Sequence, residues 1–377
     1  MIDLIYLDNN ATTKCDSRVV EEMLPFLKEN FGNASSLYAF GKDVKKKITK
    51  ARKLVASLLN AEPSEIVFTS CASESNTAAI LSAAFACKEK KHIITTKVEH
   101  ASVLETMKFL EKQGFEVTYL SVDKNGNIDL EELKKSIKKE TALICVMMAN
   151  NEIGNVYPVY EIGQIAKANG VLFHCDAVQA IGKVEVDVKK LNASTLSFSG
   201  HKIHAPKGVG VLYVKNSVDF KPLVFGHQES ERRGGTENVA GILALGKAVE
   251  ILMEDGFESS KKIEDLRNSM EQKIREKIEN VVFYGDIKNR LSNTSCMAFA
   301  GVDAHELMFM LETKGVLVST GSACNSESAK PSHVLVACGA DLKNYQPIRV
   351  SLSRFSTEAE IERFVDKLCE CVLKLRR

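Results

Sequence analysis

The chain reads as an α/β protein: a large domain with a mostly parallel seven-stranded sheet between helices, plus a smaller α+β C-terminal domain. Three observations predict this. Short apolar runs at 66–68, 93–95, 117–122, 143–148, 171–173, 195–198 and 210–214 are separated, in the earlier part, by helical patterns. Such alternation indicates parallel strands covered by helices on both faces. Beyond a polar stretch at 254–262 the pattern restarts with its own strands and helices. The length, 377 residues, suits two or three domains at about 100 to 200 residues each.

Taken in order, Ile5-Tyr6-Leu7 leads into Asp8-Asn9-Asn10-Ala11-Thr12-Thr13, a loop too rich in side-chain hydrogen-bonding groups to be buried without partners. Helical patterns follow at 17–28 and at 43–59, the second with apolar residues at Val44, Ile48, Ala51, Val55 and Leu58. After the alternating segment a long helix is predicted over 238–253. The C-terminal part then predicts a helix through Ile278, strands at 281–284, 295–300, 316–319 and 348–352, a helix at 304–313 and a terminal helix from Thr357. Helices against a small, mostly antiparallel sheet make a second domain. The division expected is 14–255 for the large domain, with 1–13 and 256–377 forming the small one. There are neither internal repeats nor low-complexity segments.

Composition excludes several classes. Fifty Lys and Arg against 49 Asp and Glu leave a net charge of +1, so no broad attraction to nucleic acid or to an anionic membrane is implied. No run approaches the roughly 20 apolar residues that span a bilayer, and the N-terminus does not resemble a signal peptide, so a cytoplasmic location is expected. The ten cysteines form no C-x-x-C pair, which argues against a zinc ribbon or a disulfide scaffold. Cys369 and Cys371 sit in a helical pattern and read as structural.

Chemistry points to the ends of two of the apolar runs. Ser197-Phe198-Ser199-Gly200-His201-Lys202 closes one run with a lysine among small and hydroxyl residues. A lysine there loses hydration, which disfavours its ammonium form, and a neutral amine condenses with aldehydes. Ser199 and His201 can hydrogen-bond a phosphate. The run at 171–173 ends in His174-Cys175-Asp176. If the two runs are neighbouring parallel strands, Asp176 and Lys202 emerge at the carboxyl edge, where open α/β sheets bind ligands. A lysine for the aldehyde and a carboxylate for the pyridinium nitrogen are what pyridoxal 5'-phosphate requires. The competing readings are a lysine in an ordinary turn and an aspartate capping a helix. Ala72 and Ser73, opening an Ala-rich helix, can offer backbone N–H groups to a phosphate, or simply start the helix. His100 and Asn150-Asn151-Glu152 end two further runs on the same side; a lone histidine there is either structural or part of the site. Cys324 lies in Gly321-Ser322-Ala323-Cys324-Asn325-Ser326, small polar residues without apolar period, so it is either a reactive exposed thiol or an incidental surface one.

Together these motifs resemble the cysteine desulfurases of the NifS/IscS type, fold-type I pyridoxal-phosphate enzymes related to class-V aminotransferases. The resemblance runs nearly end to end: Asp8-Asn9-Asn10-Ala11-Thr12-Thr13, Thr69-Ser70-Cys71-Ala72-Ser73-Glu74-Ser75-Asn76, Val98-Glu99-His100, Asn150-Asn151-Glu152-Ile153-Gly154, Asp176-Ala177-Val178-Gln179, Ser199-Gly200-His201-Lys202, Arg233-Gly234-Gly235-Thr236, Gly321-Ser322-Ala323-Cys324 and Arg349-Val350-Ser351-Leu352-Ser353-Arg354-Phe355.

It implies that Lys202 carries the cofactor, Asp176 pairs with its ring nitrogen, His100 stacks on the ring and serves in proton transfer, and Asn151 and Gln179 contact its 3-oxygen. Ala72, Ser73, Ser199 and His201 would hold the phosphate, with Gly200 also at the cofactor and Thr236 reaching across a homodimer. Arg354, with Asn151, would bind the substrate, L-cysteine. Cys324 would be the nucleophile that takes its sulfur, leaving alanine and a persulfide. The persulfide would pass to an acceptor such as an iron–sulfur scaffold protein, or serve tRNA thiolation. No resident metal is implied, at most a transient iron–sulfur contact through Cys324. Selenocysteine lyase or a related class-V aminotransferase is the alternative activity. Two positions depart from the family pattern: Cys71 and Ser353 stand where glycine is usual, and either can crowd the site.

Overall fold

The computed structural model describes residues 4–86, 89–320 and 331–376. In chain order it comprises β1 (Ile5–Tyr6), α1 (Ser17–Lys28), α2 (Ala39–Leu59), β2 (Ile66–Thr69), α3 (Ala72–Ala86), β3 (His92–Thr96), α4 (Ala101–Lys112), β4 (Glu116–Leu120), α5 (Leu130–Ser136), β5 (Thr141–Met147), α6 (Val159–Ala168), β6 (Leu172–Asp176), β7 (Thr195–Ser199) and β8 (Gly210–Val214). There follow α7 (Val239–Asp255), α8 (Glu258–Lys277), β9 (Val281–Tyr284), β10 (Thr294–Phe299), α9 (Ala304–Thr313), β11 (Val316–Leu317), α10 (His333–Ala337), β12 (Pro347–Ser351) and α11 (Glu358–Leu375).

A seven-stranded sheet in the order β2-β8-β7-β6-β5-β3-β4 forms the centre. Strands β7, β6, β5, β3 and β4 pair in parallel, while β8 runs antiparallel to both β7 and β2. The side chains explain the layers. Along β5, Ile144 and Val146 join a core with residues of α2, α6 and α7, whereas Leu143 and Cys145 join another with α3 and α4. Alternate residues thus bury opposite faces, which is why these strands read as continuous apolar runs rather than as alternating ones. Edge strand β4 is half-buried, with Val117 and Tyr119 packed against the cluster under α3 and α4.

A separate apolar cluster unites Ile5 and Leu7 with residues of α8, β10, α9, β12 and α11. There β12-β10-β9 is antiparallel, and β1 pairs in parallel with β11. The N-terminal strand therefore packs with the C-terminal third of the chain, and the loop after it crosses back to the large sheet.

Several boundaries differ from the sequence reading; α2, for example, starts at Ala39 rather than at 43, and two of the shifts have a clear cause. The polar stretch 254–262 is mostly helix: α8 starts at Glu258, and only Gly256 and Phe257, both left-handed, part it from α7. Its buried positions Ile263, Arg267, Met270 and Ile274 keep helical spacing, but the abundant charges between them conceal it. The strand expected at 117–122 ends at Leu120, with Val122 turning to bridge Ile128. No helix among the described residues is long and apolar enough to cross a membrane.

Candidate active site

The carboxyl ends of β2, β3, β5, β6 and β7 share one edge of the sheet, and the polar motifs follow directly from those ends. After β7 a single tight turn, Gly200–Lys202, delivers the lysine. Its Nζ donates to the carbonyls of Asn10 (2.5 Å) and Ala11 (2.7 Å). The Asn10 carbonyl also accepts from Gln179 Nε2 at 3.0 Å, and Gln179 Oε1 accepts from Lys183 Nζ at 3.0 Å. Burial first, then the neighbouring Lys202 cation, pull Lys183 down to about 7.

Asp176 ends β6 and is buried. Its Oδ1 accepts from the backbone N–H of Val178 (2.9 Å) and its Oδ2 from Asn76 Nδ2 (2.7 Å). No helix begins between Asp176 and β7, so the capping role considered for this aspartate reduces to the Val178 turn.

His100 caps α4: its Nδ1 accepts from the Ser102 N–H at 3.1 Å and lies 2.9 Å from Ser102 Oγ. Glu99 beside it is fully buried, accepting from Thr96 Oγ1 and the Met147 N–H, and burial pushes its carboxyl up to about 8.

At the phosphate end expected from the sequence, Ala72 is buried at the start of α3 with Ser73 exposed next to it. The first N–H groups of a helix lack intrahelical partners and favour an anion. Ser199 and Gly200 are buried close by, and His201 lies 3.1 Å from Thr12 Oγ1, held down to about 4 by burial and by Lys202. Cys71 is not among the residues with positive φ, so its turn accepts a side chain. The glycine this corner needs is Gly210: a Cβ there would lie 2.6 Å from the Cys71 carbonyl carbon. Thr236 is exposed, on the segment that Arg233 ties to Glu74 at 2.9 Å.

Arg354 approaches from the other side. Its Nη2 donates to Asp16 Oδ2 (2.5 Å), and Arg18 grips the same carboxylate through Nε (3.0 Å) and Nη2 (2.8 Å). The Arg18 hydrogen bonds, with Arg354 adding its charge, hold Asp16 well below the usual carboxylate range. Arg354 Nε and Nη1 are buried and have no partner among the described residues. Arg354, Lys202 and Lys183 border one cavity, with Ser353 on its wall. Half-buried Asn151 offers its carbonyl to Asn10 Nδ2 (3.1 Å) and Arg349 Nη1 (3.0 Å). Cys324 lies outside the described residues.

Sequence reasoning missed four contributors. Asn10, Asn76, Lys183 and Asp16 each bond a residue that the sequence marks as a candidate for the site. For Asn76 a signal existed, a buried amide within an alanine-rich helix.

A fold-type I architecture with a lysine and a carboxylate on one sheet edge defines a class, and comparison agrees: residues 5–364 match the class-V aminotransferase family, to which the chain belongs. Within that family it groups with the cysteine desulfurases. It is 48% identical over 377 residues to a cysteine desulfurase from a Nostoc species, covering 100% of this chain and 94% of that one. A solved NifS-like protein superposes with a TM-score of 0.92 at 40% identity, over 97% of this chain and 98% of the other. A structure described as SspA in complex with cysteine gives a TM-score of 0.82 at 37% identity, over 94% and 100% of the two chains.

Proposed function

We propose that this enzyme removes sulfur from L-cysteine, yielding L-alanine and a persulfide on Cys324, with pyridoxal phosphate held on Lys202. The observation that carries the reading is the placement of a doubly gripped Asp176 at the end of β6 and of Lys202 one turn past the end of its neighbour β7. The donor set fits that cofactor: an amine for its aldehyde, a carboxylate for its ring nitrogen, and a helix N-terminus with neutral His201 for its phosphate. When bound, the cofactor draws electrons from the substrate's Cα.

The chain's own groups supply the rest. Asp176 would pair with the ring nitrogen and His100 would stack on the ring. Gln179 and Asn151 serve the 3-oxygen, the Gln179 amide being oriented by Lys183. Ala72, Ser73, Ser199, Gly200 and His201 hold the phosphate, completed by Thr236 of a second copy. The two Arg354 donors that have no partner among the described residues receive the substrate carboxylate. The Lys202 amine would carry the Cα proton. The Cys324 thiolate attacks the substrate sulfur: the S–S bond forms, the C–S bond breaks, and its electron pair stays on carbon, which a proton completes as alanine.

Exposed Phe31, Leu37, Tyr38 and Phe225 support a homodimer, since apolar side chains this open favour a covering partner. The family resemblance supports an acceptor such as an iron–sulfur scaffold protein, a second outlet in tRNA thiolation, a cytoplasmic site, and a division into large and small domains near residue 255.

Alanine and sulfide measured on adding cysteine test the reading. The wild type should form both catalytically, whereas Cys324→Ser should still bind cysteine and release almost none. Undiminished sulfide from the serine variant would refute the nucleophile, and faster turnover of selenocysteine than of cysteine would reassign the activity to a lyase.

A further inference from the structure

The alanine-rich helix α3 carries a buried asparagine, Asn76, against the sheet, and its amide uses its whole bonding capacity. Nδ2 donates to Asp176 Oδ2 at 2.7 Å and to Ser102 Oγ at 3.0 Å. Oδ1 accepts from Ser197 Oγ and from His174 Nε2, the latter at 2.9 Å. An amide has two N–H donors and an oxygen with two lone pairs, so nothing is left over. The orientation is settled by the partners: flipping the amide would set its oxygen against the Asp176 carboxylate.

The groups behind Asn76 are themselves held. His174 sits on β6 two residues before Asp176, fully buried, with Nδ1 2.8 Å from Thr195 Oγ1 on β7. Burial alone pulls it down to about 3, so it is a neutral imidazole with a single N–H. With that N–H on Nε2, Nδ1 accepts from the Thr195 hydroxyl. Ser197, on β7 opposite Asp176, is fully buried as well. Ser102 passes the network on to His100 Nδ1.

We propose that Asn76 is a positioning residue for Asp176: backed by Ser197 and His174, it fixes one carboxylate oxygen while the Val178 N–H fixes the other, so that the carboxylate plane is set for the ring nitrogen. The proposal rests on the reading that Asp176 pairs with that nitrogen. The same Nδ2 also donates to Ser102 Oγ, which lies 2.9 Å from Nδ1 of His100, so one side chain links the carboxylate to the network that holds the α4 cap.

The test is equilibrium binding to the full-length, cofactor-stripped protein of two probes, pyridoxal phosphate and its 1-deaza analogue, in which C–H replaces the ring nitrogen. Wild type should prefer the nitrogen-bearing form, and Asp176→Ala should abolish the preference. Asn76→Leu should reduce the preference about tenfold, the cost of one hydrogen bond to a charged group, while leaving affinity for the deaza analogue unchanged. Ser197→Ala, a smaller change that preserves folding if the leucine variant is unstable, should reduce it several-fold. Preference intact in Asn76→Leu or in Ser197→Ala but lost in Asp176→Ala would overturn the positioning role. Equal weakening of both probes in Asn76→Leu would make Asn76 merely structural and overturn it too. No preference in the wild type would remove the Asp176 pairing itself, and the proposal with it.

Discussion

The two ends of the site are built on opposite principles. Around Asp176 the contacts are short-range and largely neutral: an amide with four partners, an uncharged imidazole and two hydroxyls back a single carboxylate. Around Arg354 the groups are full charges, with Arg18 and Arg354 sharing Asp16, and two buried guanidinium nitrogens have no partner among the described residues. A buried donor left unpaired costs about 1 to 3 kcal/mol, more when charged. That cost is tolerable where a ligand comes and goes and supplies the missing acceptor. A saturated network suits a group that stays. The difference separates the proposed cofactor end from the proposed substrate end without any ligand present.

Substitutions at the two ends should therefore have different signatures. The largest effect is expected from Lys202→Ala, with turnover falling by roughly a thousandfold or more, since the covalent attachment and the proton carrier are lost together. Alanine production at a near-normal rate would break the assignment of the cofactor end.

Next, Arg354→Lys should raise the KM for cysteine by about 10 to 100-fold while the cofactor's absorbance stays unchanged, because an ammonium does not reproduce the planar fork. If the cofactor dissociated instead, the division between the two ends would not hold.

A smaller effect tests the neutrality of the cofactor end. The carboxyl of Glu99 is pushed from its ordinary 4.5 up to about 8. A raised value in the folded state means the native protein binds the proton more tightly than the unfolded chain, so stability is full below about 4.5 and is lost as pH rises through about 8. Glu99→Gln keeps an acceptor for Thr96 and Met147 and should flatten the fall in melting temperature between pH 5 and 8. An unchanged slope would mean that Glu99 is ionised in the fold.

The smallest change is expected from Lys183→Met, which frees Gln179 Oε1 and should weaken cofactor retention only several-fold.

Much of this was legible from the chain. Helix α1 and the elements at 281–284 and 304–313 have the boundaries read from periodicity, since each has a clear apolar repeat and clear stops. The polar loop 8–13 was judged to need partners, and Asn10 and Thr13 find them on Lys202, Gln179, Asn293, Thr294 and His201. What could not be read is which residues distant in sequence meet. Asn76 reaches Asp176 across 100 positions, and Asp16 reaches Arg354 across 338. Such pairs depend on strand order and on how the N-terminal loop crosses to the large sheet, neither of which leaves a local pattern. The start of α8 was lost for a different reason, because charged residues at its surface positions look like a linker until its buried face is known.

The central claim, that sulfur leaves cysteine at the Lys202 end and is received by Cys324, is tested most directly by peptide mass spectrometry after brief exposure of the holoenzyme to isotopically labelled cysteine. The account predicts one labelled sulfur on the Cys324 peptide, formed with one alanine per site, and none in Lys202→Ala. Labelled sulfur on Cys71 instead, or on Cys324 without alanine, would contradict it.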